Sequence, residues 1–342
     1  MPMSALDTGL RVALGLLPVF SLLVALILLD SFKLVRLRLV VLLIVFGGAA
    51  AVAGLAANTA VRAAIGLDEV LLARYLAPIV EELVKGSVVV LLIARHRVGF
   101  LVDAAIVGFS VGAGFAAVEN LHYLRILDEP NIALWIVRGF GTALMHGSVT
   151  AIMAIVSRQL ADLRGAASPW VFLPGLAMAI VLHSVFNHFF VAPTVSTAFI
   201  LVALPAFFVA VFRVSERRTR DWLGTGFDTD AELLEAIVSG RASASSRIGG
   251  YLGELREKFP PATVVDMVCL LRLRLELSIR AKGILLAREA GFEMPADPDM
   301  EARFTELRHL EQTIGRTGLL ALSPLFHFSD RDLWQHHMLG KS

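Results

Sequence analysis

Glu81, Glu82 and Lys85 stand together in the string Glu-Glu-Leu-Val-Lys, inside a long apolar run. A second apolar run carries Glu119 and Asn120, a third Arg138 and His146, and a fourth His183 and Asn187. Carboxylates and imidazoles are the groups that move protons near neutral pH. Two of each around a water molecule make a hydrolytic set. A glutamate would take the proton from water. His183 and Asn187, four apart, share a helical face and could donate hydrogen bonds to the oxyanion that forms. The same residue types also bind metal. Glu82, Glu119, His146 and His183 are candidate zinc ligands, with a position left for water. Both versions hydrolyse an amide, and the choice stays open here. Spacing adds detail. Glu81 and Lys85, four apart, are expected to pair, which turns Glu82 away by about 100°. Arg138, Thr142 and His146 trace one stripe, with Arg138 a buried counter-ion to a glutamate. Lys85 reads as a counter-charge, and Asn120, Glu119 and His146 as supporting groups.

The runs that hold these residues have membrane length. The chain has 342 residues, of which 56% are hydrophobic and only 18% charged, with a mean hydropathy of +0.72. A soluble domain carries about 25% charged residues, so a soluble enzyme and a disordered chain are both excluded. The near balance of 31 basic and 30 acidic residues excludes a nucleic-acid partner. The single cysteine, Cys269, allows no intrachain disulfide and no thiolate metal site, and it reads as a small buried hydrophobe. Crossing a hydrocarbon core takes ~20 apolar residues. Seven runs qualify: 12–29, 39–58, 71–94, 103–126, 132–157, 169–190 and 195–212. The expected fold is therefore all-α. A polytopic bundle of about seven transmembrane helices occupies residues 1–212, and a helical, water-facing domain occupies residues 213–342. An ionisable group at the centre of a span costs roughly 2.5–3.5 kcal/mol on insertion scales and faces a cavity or a partner. Four consecutive spans that each carry such groups, at depths within ~10 Å of one another, point to one shared site.

Loop charges orient the bundle. Lys33, Arg36 and Arg38, then Arg95 and Arg97, Arg158 and Arg164, and Arg213, Arg217, Arg218 and Arg220 all fall on one side. The other side has Arg11 and Arg62, and its loops at 128–131 and 191–194 have no basic residue. Basic residues collect on the cytoplasmic side, so the N-terminus is expected outside and the tail inside. In the tail, 231–239, 246–259, 263–290 and 298–313 show helical periodicity, Pro261 suits a first turn, and 240–250 reads as a flexible connection. Regulation, binding of a partner, or self-association are its expected roles. Pro78 is placed to bend the third span beside the glutamates. Gly108, Ser110 and Gly112 match the Gly-x-Ser-x-Gly nucleophile pattern. They lie within a span, where such glycines serve packing instead. No His-Glu-x-x-His string is present.

Glu81-Glu82-x-x-Lys85, Phe115-x-x-x-Glu119-Asn120, Arg138 with His146, and His183-x-x-x-Asn187 occur in this order on four consecutive spans. Over about residues 70–212 the chain resembles the PrsW family of intramembrane proteases, related to the CAAX-prenyl-protease superfamily called CPBP or Abi. The resemblance implies that Glu81, Glu82 and His183 are essential. It also implies a glutamate that activates water, or a metal such as zinc, and His183 with Asn187 at the oxyanion. Those relatives carry a histidine where this chain has Glu119, and His146 is the imidazole available to replace it. The resemblance further implies a membrane-anchored protein substrate, such as an anti-sigma factor, and a bacterial plasma membrane. The rival reading is a transporter or channel with a Glu/His proton relay. A third is a sensor whose tail binds a partner.

Overall fold

A computed structural model describes residues 5–127, 131–164, 168–239, 247–295, 297–325 and 330–340. Among these residues every regular element is a helix. Apolar runs of this length leave the backbone no other way to satisfy its own polar groups in lipid. The chain divides into two compact units, Met1–Glu216 and Arg217–Ser342.

The first unit contains α1 (Ala5–Leu29), α2 (Leu37–Ile65), α3 (Glu69–Leu71), α4 (Ala77–Ala94), α5 (Leu101–Ile126), α6 (Ile132–Ile136), α7 (Leu144–Arg164) and α8 (Leu173–Asn187). It also contains most of the apolar part of α9 (Pro193–Val238). A π turn, Leu72–Leu76, joins α3 to α4, and a second, Val137–Ala143, joins α6 to α7. Six helical segments are long and apolar enough to cross a membrane: Leu6–Leu29, Leu37–Ile65, Leu101–Ile126, Ile132–Arg164, Pro169–Asn187 and Pro193–Val238. The expected run 71–94 is not among them. Its main helix, α4, has 18 residues that include Glu81, Glu82 and Lys85, too many charges for an apolar span.

Helix α5 is the axis of the unit. Its apolar window is 89% buried, whereas those of α1 and α9 are 22% buried. Small residues let its neighbours come close. A Cβ on Gly112 would fall 2.3 Å from the His146 carbonyl oxygen of α7, and one on Gly114 would fall 2.0 Å from the Ile44 carbonyl oxygen of α2. Ser110 is buried and donates to the Ile106 carbonyl at 2.6 Å within its own helix, as a packing residue does. At the start of α5, Asp103 accepts from the backbone N–H groups of Gly99 and Phe100. That carboxylate occupies the positive end of the helix dipole. The outward faces of α2, α8 and α9 stay apolar and exposed, with Leu42, Val52, Val185, Phe199 and Val202, as lipid contact requires.

The second unit is built around α11 (Pro261–Glu289), with α10 (Arg247–Lys258), α12 (Met300–Leu322) and α13 (Asp330–Leu339). Its core holds Met267, Leu270, Leu273, Leu277, Leu307, Leu310 and Ile314. Pro261 does open α11. Helix α12 runs on to Leu322, past the expected end at 313, through a left-handed Gly315, and α13 was not expected. Cys269 corrects the reading of a buried thiol, for it is exposed. Met267, Leu270 and Leu271 mark the inward face of α11, and position 269 is rotated off it by about 100° from Leu270. Residues 240–246 of the expected connection and 128–130 of the outer loop lie outside the described residues.

Candidate functional site

The site is assembled from the head of α4 outward. Pro78 has no N–H to give. The Arg74 carbonyl, four residues before it, and the Ala73 carbonyl, five before it, therefore lose the donor that an α or π turn would supply. Two side chains of α8 replace it. Ser184 Oγ donates to the Arg74 carbonyl at 2.6 Å, and Asn187 Nδ2 donates to the Ala73 carbonyl at 2.9 Å. Unmet carbonyls in hydrocarbon are costly, so the proline that disturbs α4 also clasps α8 to it. Helix α8 is the helix that carries His183. The amide of Asn187 is thus engaged with the backbone of the π turn.

The second π turn serves α7. In a regular helix, residues eight apart are offset by roughly 80°. A π turn rotates less per residue and narrows that offset. Arg138, in the turn, and His146, in α7, accordingly both meet α5. Arg138 Nε donates to Asn120 Oδ1 at 3.0 Å, and its Nη2 lies 3.6 Å from Glu119 Oε1. His146 Nε2 lies 2.8 Å from Glu119 Oε2. Asn120 Nδ2 in turn donates to the Gly15 carbonyl of α1 at 2.8 Å. The Arg138 guanidinium also covers the Tyr123 ring, 3.8 Å from its centroid.

The pairing on α4 differs from the expected one. Lys85 forms its ion pair with Glu82, three residues before it, and not with Glu81. Positions three and four apart both lie on one face, so spacing alone allowed either partner. Neighbouring helices make the choice. Glu82 and Lys85 point into the bundle and are fully buried. Glu81 faces α2, where Asn58 Nδ2 donates to its Oε1 at 3.3 Å. Glu82 Oε1 lies 2.8 Å from His183 Nδ1, and Lys85 Nζ lies 3.1 Å from His146 Nδ1. Glu81 Oε2 is 3.9 Å from His183 Nε2. The rings of His146 and His183 meet edge to face with centroids 4.8 Å apart. Phe115 packs against both His146 and the Lys85 ammonium.

The partners dictate where the protons sit. An ammonium only donates, so His146 Nδ1 accepts from Lys85, and its Nε2–H points at Glu119. A carboxylate in an ion pair only accepts, so His183 carries its proton on Nδ1 toward Glu82. His183 Nε2 then turns its lone pair toward Glu81. Access is graded. The side chains of Glu82 and Lys85 are 0% exposed, those of Glu81 and Glu119 16% and 24%. The two outer carboxylates form the mouth, and the inner ion pair is the floor.

Glu81, His146 and His183 each offer one ligand atom, all within 4.8 Å of one another. Two imidazoles and one carboxylate are a donor set of hydrolytic zinc sites, and these residues fit a metal once the Lys85 ammonium, 3.1 Å from His146 Nδ1, gives up that lone pair. Glu82 Oε1 and Glu119 Oε2, also expected among the ligands, each lie 2.8 Å from a nitrogen of one of the two imidazoles. A carboxylate behind a ligating histidine fixes the ring's tautomer and direction. Sequence reasoning missed Asn58 and Ser184. Asn58 had a signal, an amide at the end of an apolar run. Ser184 had none, because its role depends on the carbonyls that Pro78 frees.

Residues 35–213, just over half of the chain, match the family model described as PrsW family intramembrane metalloprotease. No curated protein and no solved structure matches the chain. Of the side chains in this network all lie within the matched segment, and only the Gly15 carbonyl comes from outside it.

Proposed function

The chain belongs to the PrsW family of intramembrane proteases, and we propose that it hydrolyses a peptide bond in or near the membrane-spanning segment of a membrane-anchored protein. One observation carries this reading. Polar side chains from α2, α4, α5, α7 and α8 converge on a pair of buried imidazoles, with two carboxylates at the mouth. With Lys85 drawn off His146 Nδ1, Glu81, His146 and His183 would hold a zinc ion, which would supply a water that ionises near neutral pH. Glu82 keeps the His183 ring turned so that Nε2 faces the mouth. Glu119, beside Arg138, would be the carboxylate left to accept a proton from that water. Lys85 balances the buried charge of Glu82, Asn120 anchors Arg138, and Asn187 positions α8.

A second account of water activation has its own support. Lys85 already places a cation 3.1 Å from His146 Nδ1. In a metal-free site Glu81 would draw the proton from water itself, and His183, once protonated on Nε2 as well, would donate to the charge that develops at the peptide carbonyl, within the field of the Lys85 ammonium beneath it.

Family membership favours a substrate such as an anti-sigma factor or a similar membrane-anchored regulator, cut near the outer end of its span. The segment Glu69–Ala94 then serves as a seventh crossing. The N-terminus lies outside and residues 213–342 lie in the cytoplasm of a bacterial plasma membrane, where they bind a regulator or self-associate.

The test is cleavage of single-span substrates by the purified full-length protein, beside Glu81→Gln, Glu82→Gln and His183→Ala, with and without a chelator. Loss of cleavage in the variants at unchanged thermal stability supports the protease. Chelator sensitivity selects zinc, and insensitivity selects Glu81 as base. Normal cleavage by all three variants would sink the assignment. Ion flux in liposomes that depends on Glu81 and Glu82, without proteolysis, would select the transporter reading instead.

A further inference from the structure

Helix α2 turns a narrow face toward the site. Beyond Leu43 its buried residues are Gly47, Ala50, Ala51, Gly54 and Asn58, a stripe of small side chains that ends in an amide. At Gly54 a Cβ would stand 3.4 Å from Glu81 Cγ. The α2 backbone therefore lies directly against the Glu81 side chain. One turn further on, Asn58 Nδ2 donates to Glu81 Oε1 at 3.3 Å. Asn58 is 8% exposed, and its Oδ1 is buried without a partner. Leucine, similar in size, would fill this place in an apolar helix without an unmet acceptor. What the amide supplies in return is its donor to Glu81. Lys85, the cation one turn from Glu81, is taken by Glu82. Among the described residues the hydrogen bond that Glu81 receives comes from Asn58.

We propose that Asn58 is a positioning residue for Glu81, holding one carboxylate oxygen against α2 so that the other faces His183 Nε2. The inference rests on the reading of Glu81 as a group that handles the reacting water. A glutamate at a mouth has three side-chain torsions free to rotate. Fixing Oε1 from the α2 side leaves Oε2 on the side of the imidazole, at 3.9 Å. Gly54 sets the helix separation that lets so short an amide reach.

Cleavage of a single-span substrate by the full-length protein tests this with Asn58→Leu, Asn58→Gln, Asn58→Asp and Glu81→Gln. Asn58→Leu is expected to lower kcat by about 10–100-fold, the usual effect of removing an orienting partner behind a site. KM should stay within about twofold and the thermal midpoint should not fall. Asn58→Gln, which keeps the donor, is expected to regain part of the rate at equal stability. Asn58→Asp, which sets a like charge beside Glu81, should regain none. An unchanged kcat for Asn58→Leu would overturn the proposal. So would a loss of rate that tracks a falling midpoint across the series. If Asn58→Leu does not fold, the comparison of Asn58→Gln with Asn58→Asp decides, and equal rates overturn it. Glu81→Gln separates the two levels. Full activity there removes the reading of Glu81 itself, while an inactive Glu81→Gln beside a fully active Asn58→Leu removes only the role of Asn58.

Discussion

Lys85 is the least ordinary residue of the network, a fully buried ammonium between Glu82 and an imidazole. Removing one partner of a buried ion pair leaves the other charge unmet and costs about 3–5 kcal/mol. Lys85→Met is therefore expected to destabilise the protein strongly. Adding Glu82→Gln removes the stranded charge and should recover much of that loss. Unfolding of the single and double variants in detergent checks this, and a double variant no more stable than Lys85→Met would contradict it. Both variants should be inactive, because His146 loses its neighbouring cation in each and His183 loses its orienting carboxylate in the double variant. Sequence spacing could not assign this pair. From Lys85 the two glutamates sit one helical turn away on adjoining rows, and only the packing of α2, α7 and α8 tells which row faces inward.

At the scale of elements, the break in α4 and the side chains of α8 form one device. Pro78 removes a donor and Asn187 supplies one to the Ala73 carbonyl. Asn187→Leu should cost about 1–2 kcal/mol, the size of an interhelical hydrogen bond in a membrane. In a Pro78→Ala background the backbone regains its own N–H, and the same substitution should cost less. A double-mutant cycle on thermal stability measures the difference. Equal costs in both backgrounds would show that the proline and the clasp are independent. The α5–α7 contact gives a second expectation. Gly112→Ala places a methyl 2.3 Å from the His146 carbonyl oxygen, so the helices must part and about 1–3 kcal/mol is lost. The catalytic rate should fall with it, since His146 sits at that contact. Gly9→Ala, in α1, meets nothing within 4 Å and should leave cleavage unchanged with stability no lower.

At the scale of the whole molecule, every side chain of the network belongs to the unit Met1–Glu216. Among the described residues, the members of that network all precede Arg217. Deleting residues 217–342 is thus expected to leave the cleavage rate of a detergent-solubilised substrate within a few fold of the full chain. A tail that acts on regulation would show its effect in cells, on which substrate is cut or when. Loss of cleavage in detergent by a stably folded truncation would contradict this division. The tail's periodicity revealed α10, α11 and the first part of α12. It did not reveal α13, because a ten-residue helix with two histidines and a tryptophan has too short an apolar pattern to stand out.

Apolar run length and residue type, both local properties, were enough to read a helical membrane protein and the strings that carry Glu81, Glu82, Glu119, His146 and His183. The segment 71–94 was legible as a run, although the very charges that mark the site disqualify it as an apolar span. Contact between those strings is not local. Which carboxylate backs which imidazole depends on helix rotation, and two π turns set that rotation in α4 and α7. Helix separation depends on small residues placed opposite one another in α2, α5 and α7, which no single helix reveals. Asn58 shows the limit most clearly. Its type is visible in the sequence, but its meaning comes only from Glu81, 23 positions away in the chain and 3.3 Å away in space.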